Sequence, residues 1–264
     1  EMVSKQLGDG KLLSQETKKK VVYDFRQNDL KNGGEGAPLA PIFHKLISEK
    51  IKVEPPLCVI NLGGIANITS IESGEISDLG SQDIGPGNCL IDEWIKKNTN
   101  KKYDKDGLIA KSGKKDILIL NQALDNHDNL KKKNILSYDT KDFDLSFVRG
   151  LSLEDGAATL TEFTGKLLAE ATLNYISKLK TKPKKILVCG GGRKNSTLIN
   201  CLKDNMNIGN LVENIDNFGV DGDFIESQAF AYLAIRSFLN LPISFPKTTG
   251  CKHPSTGGKL VNNF

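Results

Sequence analysis

Three glycine-rich segments lie in order along the chain, at residues 61–67, 83–88 and 189–195. The first and third follow short apolar runs that are typical of buried strands. Glycine lets the main chain approach a ligand closely because it has no Cβ, and its N–H groups can face an anion such as phosphate. The three segments together therefore predict a nucleotide-binding site. Its candidate contact residues are Asn61, Gly63, Gly64, Asn67, Asp83, Gly85, Gly87, Asn88, Gly190, Gly191 and Gly192.

Each segment also has a purely structural interpretation. Residues 61–67 could be a hairpin bend, because a strand meander follows them. In residues 83–88, Asn88 could simply cap a helix. The functional alternatives are that the N-terminus of this helix faces an anion and that Asp83 orients a metal-bound water. Three adjacent glycines at 190–192 are costly in unfolded-state entropy, so a base or ribose across this turn is favoured over a bare connection.

Three charged side chains could act on a substrate. Asp24 follows the apolar residues at the start of a strand-like run, 21–26, and its carboxylate could serve as a general base at this strand end. Arg26 could bind an anionic group through two parallel hydrogen bonds, although the residues alone favour a surface ion pair at a strand end. Glu226 begins an apolar helix and could either hydrogen-bond sugar hydroxyls or complement the helix dipole.

The elements that would position these residues alternate between strand and helix. The sequence predicts a strand meander over 57–83, a strand at 185–189 and a short strand after residue 210. It predicts helices over about 39–50, 88–98, 160–179, 195–205 and 225–239, and Ser152 with Asp155 resembles a capping box. The polar residues 121–144, with the lysines 131–133, predict a long surface loop. This order predicts an α/β fold with a mixed sheet and flanking helices.

Composition excludes several other classes of protein. The formal charge of +4, from 36 basic and 32 acidic residues in a chain of 264, is spread along the sequence, so no nucleic-acid partner is predicted. Five cysteines without paired spacing indicate a reducing compartment, and no zinc-binding pattern is present. There is no apolar run long enough to cross a bilayer and no signal-peptide pattern, so we expect a soluble, cytoplasmic protein without a membrane partner.

The set of segments resembles the anhydro-N-acetylmuramic acid kinase family of the hexokinase/Hsp70/actin superfamily. The matching segments are 22–26, 33–39, 61–69, 83–88 with Asp92 and Trp94, Tyr103-Asp104, 189–195 and 226–234. The resemblance implies an actin/hexokinase-like (ribonuclease H-like) fold with two lobes around a nucleotide cleft. It also implies a kinase that uses ATP and Mg²⁺ to phosphorylate 1,6-anhydro-N-acetylmuramic acid at O6. Hydrolytic opening of the anhydro ring would give N-acetylmuramate 6-phosphate for cell-wall recycling.

The resemblance further implies roles for individual residues. Asp24 matches the catalytic aspartate, which would take a proton from the water attacking the anomeric carbon while the freed O6 accepts the γ-phosphoryl group. Residues 61–67 match the second phosphate segment, and Gly190–Gly192 match the adenosine segment. Glu226 matches a sugar contact. A homodimer is implied only by this resemblance.

One departure from the family bears on the domains. The family's Gly-Thr-Ser-x-Asp-Gly phosphate loop has no counterpart here, so we expect the first lobe to be incomplete. Residues 1–52 would be its remnant with the catalytic-Asp segment, 53–220 the nucleotide-binding lobe, and 221–264 a helix and tail packing back towards the first lobe. The sugar kinase is the leading hypothesis. The alternatives are a catalytically inactive, truncated lobe that binds nucleotide or muropeptide, and another actin-fold phosphotransferase with a different acceptor.

Overall fold

The computed structural model describes residues 4, 6–130 and 140–264. The chain divides into two compact units. Unit 1 contains Glu1–Pro56, Thr69–Gln82 and Phe224–Phe264, and unit 2 contains Leu57–Ile68 and Asp83–Asp223. The lobe boundaries at residues 52 and 220 stay predictions.

A five-stranded sheet carries the three glycine segments. Its strands are β2 (Leu57–Leu62), β3 (Ile65–Ile71), β4 (Leu79–Pro86), β5 (Lys185–Cys189) and β6 (Val212–Asn214), in the order β4-β3-β2-β5-β6. β2 runs parallel to β5, with Asn61 opposite Cys189, and β5 runs parallel to β6. Only Gly63 and Gly64 join β2 to β3, and so short a connection requires an antiparallel hairpin. The predicted mixed sheet is therefore confirmed.

The helices of unit 2 bury the central strands. They are α4 (Cys89–Asn98), α5 (Leu108–Ser112), α6 (Ile117–Leu130), α7 (Leu153–Ser177) and α8 (Ser196–Asp204). α7 packs against the other four, and its Leu160 and Leu168 are fully buried. Its first turn is capped as predicted, because Ser152 Oγ accepts a hydrogen bond from the Asp155 N–H at 3.1 Å. Burial on both faces explains why β2 is a continuous apolar run at its start.

Unit 1 brings both ends of the chain together. Its helices are α1 (Gly10–Thr17), α2 (Gln27–Lys31), α3 (Pro41–Lys50), α9 (Ile225–Phe238) and α10 (Pro246–Thr249). A two-stranded antiparallel sheet pairs β1 (Val21–Tyr23) with β7 (Lys259–Val261), which places Tyr23 opposite Lys259. His44 on α3 is buried and its Nδ1 lies 2.8 Å from Thr69 Oγ1. Burial lowers the pKa of His44 to about 4, which keeps this core histidine neutral.

The predicted surface loop at 121–144 is wrong for its first part. Residues 121–130 belong to α6. Leu120 and Ala123 of this helix are buried one helical turn apart, and most of the other side chains described in residues 117–127 are exposed. The lysines 131–133 lie outside the described residues. Within the described ranges, no helix combines the length and apolar character needed to cross a bilayer.

Candidate functional site

The first two glycine segments form one corner of unit 2 through main-chain hydrogen bonds. The N–H groups of Gly87 and Cys89 donate to the Gly64 carbonyl at 2.9 and 3.2 Å, and the Asn88 N–H donates to the Gly63 carbonyl at 2.8 Å. A Cβ on Gly87 would overlap the Gly63 oxygen, so glycine is required there by the fold itself. These three N–H groups are hydrogen-bonded inside the chain, and the phosphate-binding role of Gly87 and Asn88 stays a prediction.

The prediction that the Asn88 side chain caps α4 is wrong. Asn88 does precede the helix, but its side chain accepts no capping hydrogen bond. Its Nδ2 instead lies 3.3 Å from the carbonyl oxygens of Leu62 and Gly63. The amide therefore links the start of α4 to the end of β2, and it orients the corner rather than the helix terminus.

The third glycine segment packs on the same corner. Gly190 has φ +79°, and a Cβ there would overlap the Asn61 side chain. A Cβ on Gly192 would lie 2.8 Å from Leu62 Cβ. Gly191, between them, is exposed and has no atom within 4 Å of a Cβ position. Packing thus explains two of the three glycines, and only Gly191 leaves main chain open to a ligand.

A cavity of about 530 Å³ lies beside this turn. Its lining residues are Asn88, Asp92, Tyr103, Asp104, Lys105, Asp106, Gly191, Lys194, Asn195 and Asp223. Ligand pockets commonly have volumes of roughly 300–1,000 Å³. Of the residues predicted from sequence, the cavity brings Asn88 and Gly191 together.

The cavity walls are fixed to one another by side-chain hydrogen bonds. Buried Asp104 accepts from the N–H groups of Ile109 and Ala110 at 2.9 Å each and so holds the start of α5. Thr197 Oγ1 donates to the Gly107 carbonyl at 2.8 Å, which ties this wall to α8. These hydrogen bonds hold the cavity walls in place relative to one another.

Asp92 is the lining carboxylate best placed to accept hydrogen bonds from a ligand. Burial raises the pKa of Asp92 to about 6, Lys96 opposes this shift, and the neighbouring Asp104 adds to it. Within the described part of the chain, no donor pairs with its carboxylate. Sequence reasoning noted Asp92 and Tyr103 only as family matches and gave them no role. The available signal was an acidic residue beside the buried Ile91 and Trp94 of α4.

We expect Asp92→Asn to stabilise the protein at pH 8 and progressively less as the pH falls towards 4. The folded-state pKa of about 6 exceeds the ordinary 3.8, so this group favours folding at low pH and disfavours it once the pH rises through 6. Partial exposure limits the gain at pH 8 to about 1 kcal/mol, or about 2–4 °C in Tm. Calorimetric Tm values across this range measure it. Glu93→Gln, on the exposed side of α4, is the control, and a gain independent of pH would contradict the expectation.

The other phosphate candidates lie nearby on the sheet. Asn67 lies on β3, and its Oδ1 is buried without a hydrogen-bond partner in the described residues. Because buried polar atoms are normally paired, this oxygen is suited to a ligand group or water. Asp83 is half-buried on β4, and Gly85 has φ +131° with open space around its Cβ position.

Asp24, Arg26 and Glu226 lie in unit 1. Asp24 follows β1 with φ +59°, and its Oδ2 lies 2.7 Å from Lys259 Nζ. Its side chain is 15% exposed, whereas that of Lys259 is 64% exposed. Non-glycine residues at positive φ are strained and cluster at functional sites. The catalytic role of Asp24 stays a prediction.

Arg26 and Glu226 have different surroundings. Arg26 Nη1 donates to the Gly36 carbonyl at 2.8 Å. Asp29 holds the same loop, because its Oδ2 accepts from the Gly36 N–H at 2.7 Å. One nitrogen of the Arg26 fork is thus committed within the chain. Glu226 lies in the first turn of α9 and is exposed.

Comparison with known proteins adds to this geometry. The family model for anhydro-N-acetylmuramic acid kinase matches residues 1–263. A relative of that name from Pelagibacter ubique is 54% identical over 264 residues, which is all of this chain and 70% of the relative. Another, from Zymomonas mobilis, is 46% identical over 97% of this chain and 67% of its own length. A ligand-bound xylulose kinase from Lactobacillus acidophilus covers 71% of this chain and 41% of its own, at 16% identity and a TM-score of 0.41. That structural likeness is low, so the sequence relatives carry the argument.

Proposed function

We propose a function from one premise: this chain belongs to the anhydro-N-acetylmuramic acid kinase family. It is a kinase of this type, which uses ATP. The reaction we propose is phosphorylation of 1,6-anhydro-N-acetylmuramic acid at O6, with hydrolytic opening of the anhydro ring to N-acetylmuramate 6-phosphate. The inactive binding lobe is not favoured, because relatives named as kinases match the chain over nearly its whole length.

The cavity of unit 2 is the proposed nucleotide site. The observation that carries this is Gly191, whose open main chain borders a 530 Å³ cavity while Gly190 and Gly192 are packed against β2. A base or ribose can lie across Gly191 because no side chain covers it. The Asp92 carboxylate, which has no donor among the residues that the structure describes, can accept from ribose hydroxyls. The exposed ring of Tyr103 offers an aromatic face to a base.

The residues present suit a magnesium ion bound together with the nucleotide. The buried Asn67 Oδ1, unpaired among the described residues, is an oxygen ligand of the kind that magnesium takes directly or through water. Asp83 would orient such a water. Magnesium, when bound, neutralises charge on the transferred phosphoryl group.

Asp24 is the proposed general base. Its carboxylate takes a proton from a water molecule, and the water oxygen forms a bond to the anomeric carbon. The bond from that carbon to O6 breaks, and O6 forms a bond to the γ-phosphorus of ATP. The bond from that phosphorus to the oxygen of the β-phosphate breaks, and ADP leaves. Lys259 holds the Asp24 carboxylate in place. The uncommitted nitrogens of Arg26 bind the anionic group of the sugar, and Glu226 accepts from a sugar hydroxyl. A homodimer is part of the proposal through family resemblance.

A coupled ADP-release assay with the anhydro sugar tests the function. We expect ADP to appear only when the anhydro sugar is present, together with the sugar 6-phosphate detected by mass. N-acetylmuramic acid, which lacks the anhydro ring, is the control acceptor. The assay is run on two proteins. One is this chain, and the other is a fusion of this chain to the segment of the Pelagibacter ubique relative that the match does not cover. Calorimetric ATP binding without turnover in either form would support the inactive alternative instead.

A further inference from the structure

Arg193 has a guanidinium group that folds back onto the glycine turn from which it comes. Its side chain is only 2% exposed. Nε donates to both carboxylate oxygens of Asp216 at 2.9 and 3.0 Å. Nη1 donates to Asp223 Oδ1 at 2.8 Å and to the Gly190 carbonyl at 3.1 Å. One buried side chain therefore joins the turn to two acidic residues that come later in the chain.

The surrounding residues leave this guanidinium little freedom. A Cβ on Gly222 would overlap its atoms, so glycine is needed there for the guanidinium to fit. The Gly222 N–H also donates to Asp216 Oδ1 at 2.9 Å. Lys194 binds the second oxygen of Asp223. By contrast, Asp221 lies 3.8 Å from Arg193 Nη2, beyond hydrogen-bonding distance.

The residues that Arg193 holds border the nucleotide cavity. Asp223 and Gly191 both line the cavity. Gly191 directly follows Gly190, whose carbonyl accepts the hydrogen bond from Nη1. We infer that Arg193 is a positioning residue for nucleotide binding, an inference that rests on the proposed function. It fixes the conformation of the turn, so that the Gly191 main chain meets the nucleotide without first being ordered.

Lysine does not replace arginine in this role. Arg193 contacts three groups, Asp216 through Nε and both Asp223 and the Gly190 carbonyl through Nη1, from different corners of a rigid planar fork. A lysine ammonium is a single charged group that can bind Asp216 or Asp223. It cannot bind both of them and the Gly190 carbonyl at the same time. Arg193→Lys therefore retains the charge and removes the geometry.

Steady-state kinetics of Arg193→Lys and Asp216→Asn test the inference. Loss of a charge-assisted hydrogen bond should raise the KM for ATP by about tenfold or more. We expect kcat and the KM for the anhydro sugar to stay within about twofold. Asp204→Asn and Arg149→Lys are matched controls, because both side chains are exposed and neither lines the cavity. Both should behave as wild type.

The calorimetric Kd for ATP, measured on the same proteins, makes the outcome independent of turnover. A weaker Kd in both variants supports the inference even if no sugar is phosphorylated. Wild-type ATP affinity in both variants would overturn the inference alone. A lower melting temperature with reduced kcat but unchanged KM and Kd would also overturn it, because that pattern indicates only a structural role. Failure of the wild-type chain to bind ATP would overturn the proposed function as well.

Discussion

Asp24→Asn is expected to lower kcat by about a hundredfold to ten-thousandfold, the range in which general bases contribute. The Kd for ATP should stay within about twofold, because the proposed base acts on water and the proposed nucleotide cavity is lined by residues of unit 2. Steady-state ADP release and calorimetry measure the two effects. Loss of ATP binding in this variant would argue for a structural role of Asp24.

The substitution is well suited to test chemistry rather than folding. Asparagine has the same shape as aspartate and tolerates the left-handed conformation at φ +59°. It does remove the charge that pairs with Lys259. Lys259→Met is therefore the control, because it breaks the same ion pair and leaves the carboxylate. The side chain of Lys259 is largely exposed, so solvent screens its charge, and kcat should fall by no more than about fivefold. A loss as large as that of Asp24→Asn would show that the ion pair, not the base, carries the effect.

Sequence reasoning succeeded where the physical cause is local. β2 and β5 are short apolar runs buried on both faces, and each ends at a glycine turn. That combination specifies a strand followed by a close backbone approach. α6 shows the limit of the same reasoning, because Leu120 and Ala123 are the only buried side chains among its described residues 117–127. Because most of the positions from 121 onward are polar, the sequence there lacks the apolar residues at helical spacing that would have predicted a helix.

What each glycine faces could not be predicted, because it depends on residues far away in the sequence. The contact of Gly87 with the Gly63 carbonyl exists only once β4 and the β2–β3 hairpin lie in one sheet. The same holds for Arg193, because its partners Asp216 and Asp223 follow a later strand. Three adjacent glycines suggested one common role, whereas the structure gives packing to Gly190 and Gly192 and an open surface to Gly191.

The requirement for glycine at residue 87 predicts a large loss of stability when this residue is replaced. Gly87→Ala should destabilise the protein by about 2–4 kcal/mol, because the new methyl group overlaps the Gly63 carbonyl and separates main-chain groups that are hydrogen-bonded. In a domain of this size, that corresponds to a fall in Tm of about 5–15 °C. Gly64→Ala is the matched control in the same corner, since nothing lies within 4 Å of its Cβ position; it should cost less than about 1 kcal/mol. Urea and thermal unfolding of both variants measure the difference. An equal loss of unfolding free energy in the two variants would show that the main chain at this corner adjusts to a side chain. The glycines would then not be needed to hold the surface on which the Gly190–Gly192 turn packs.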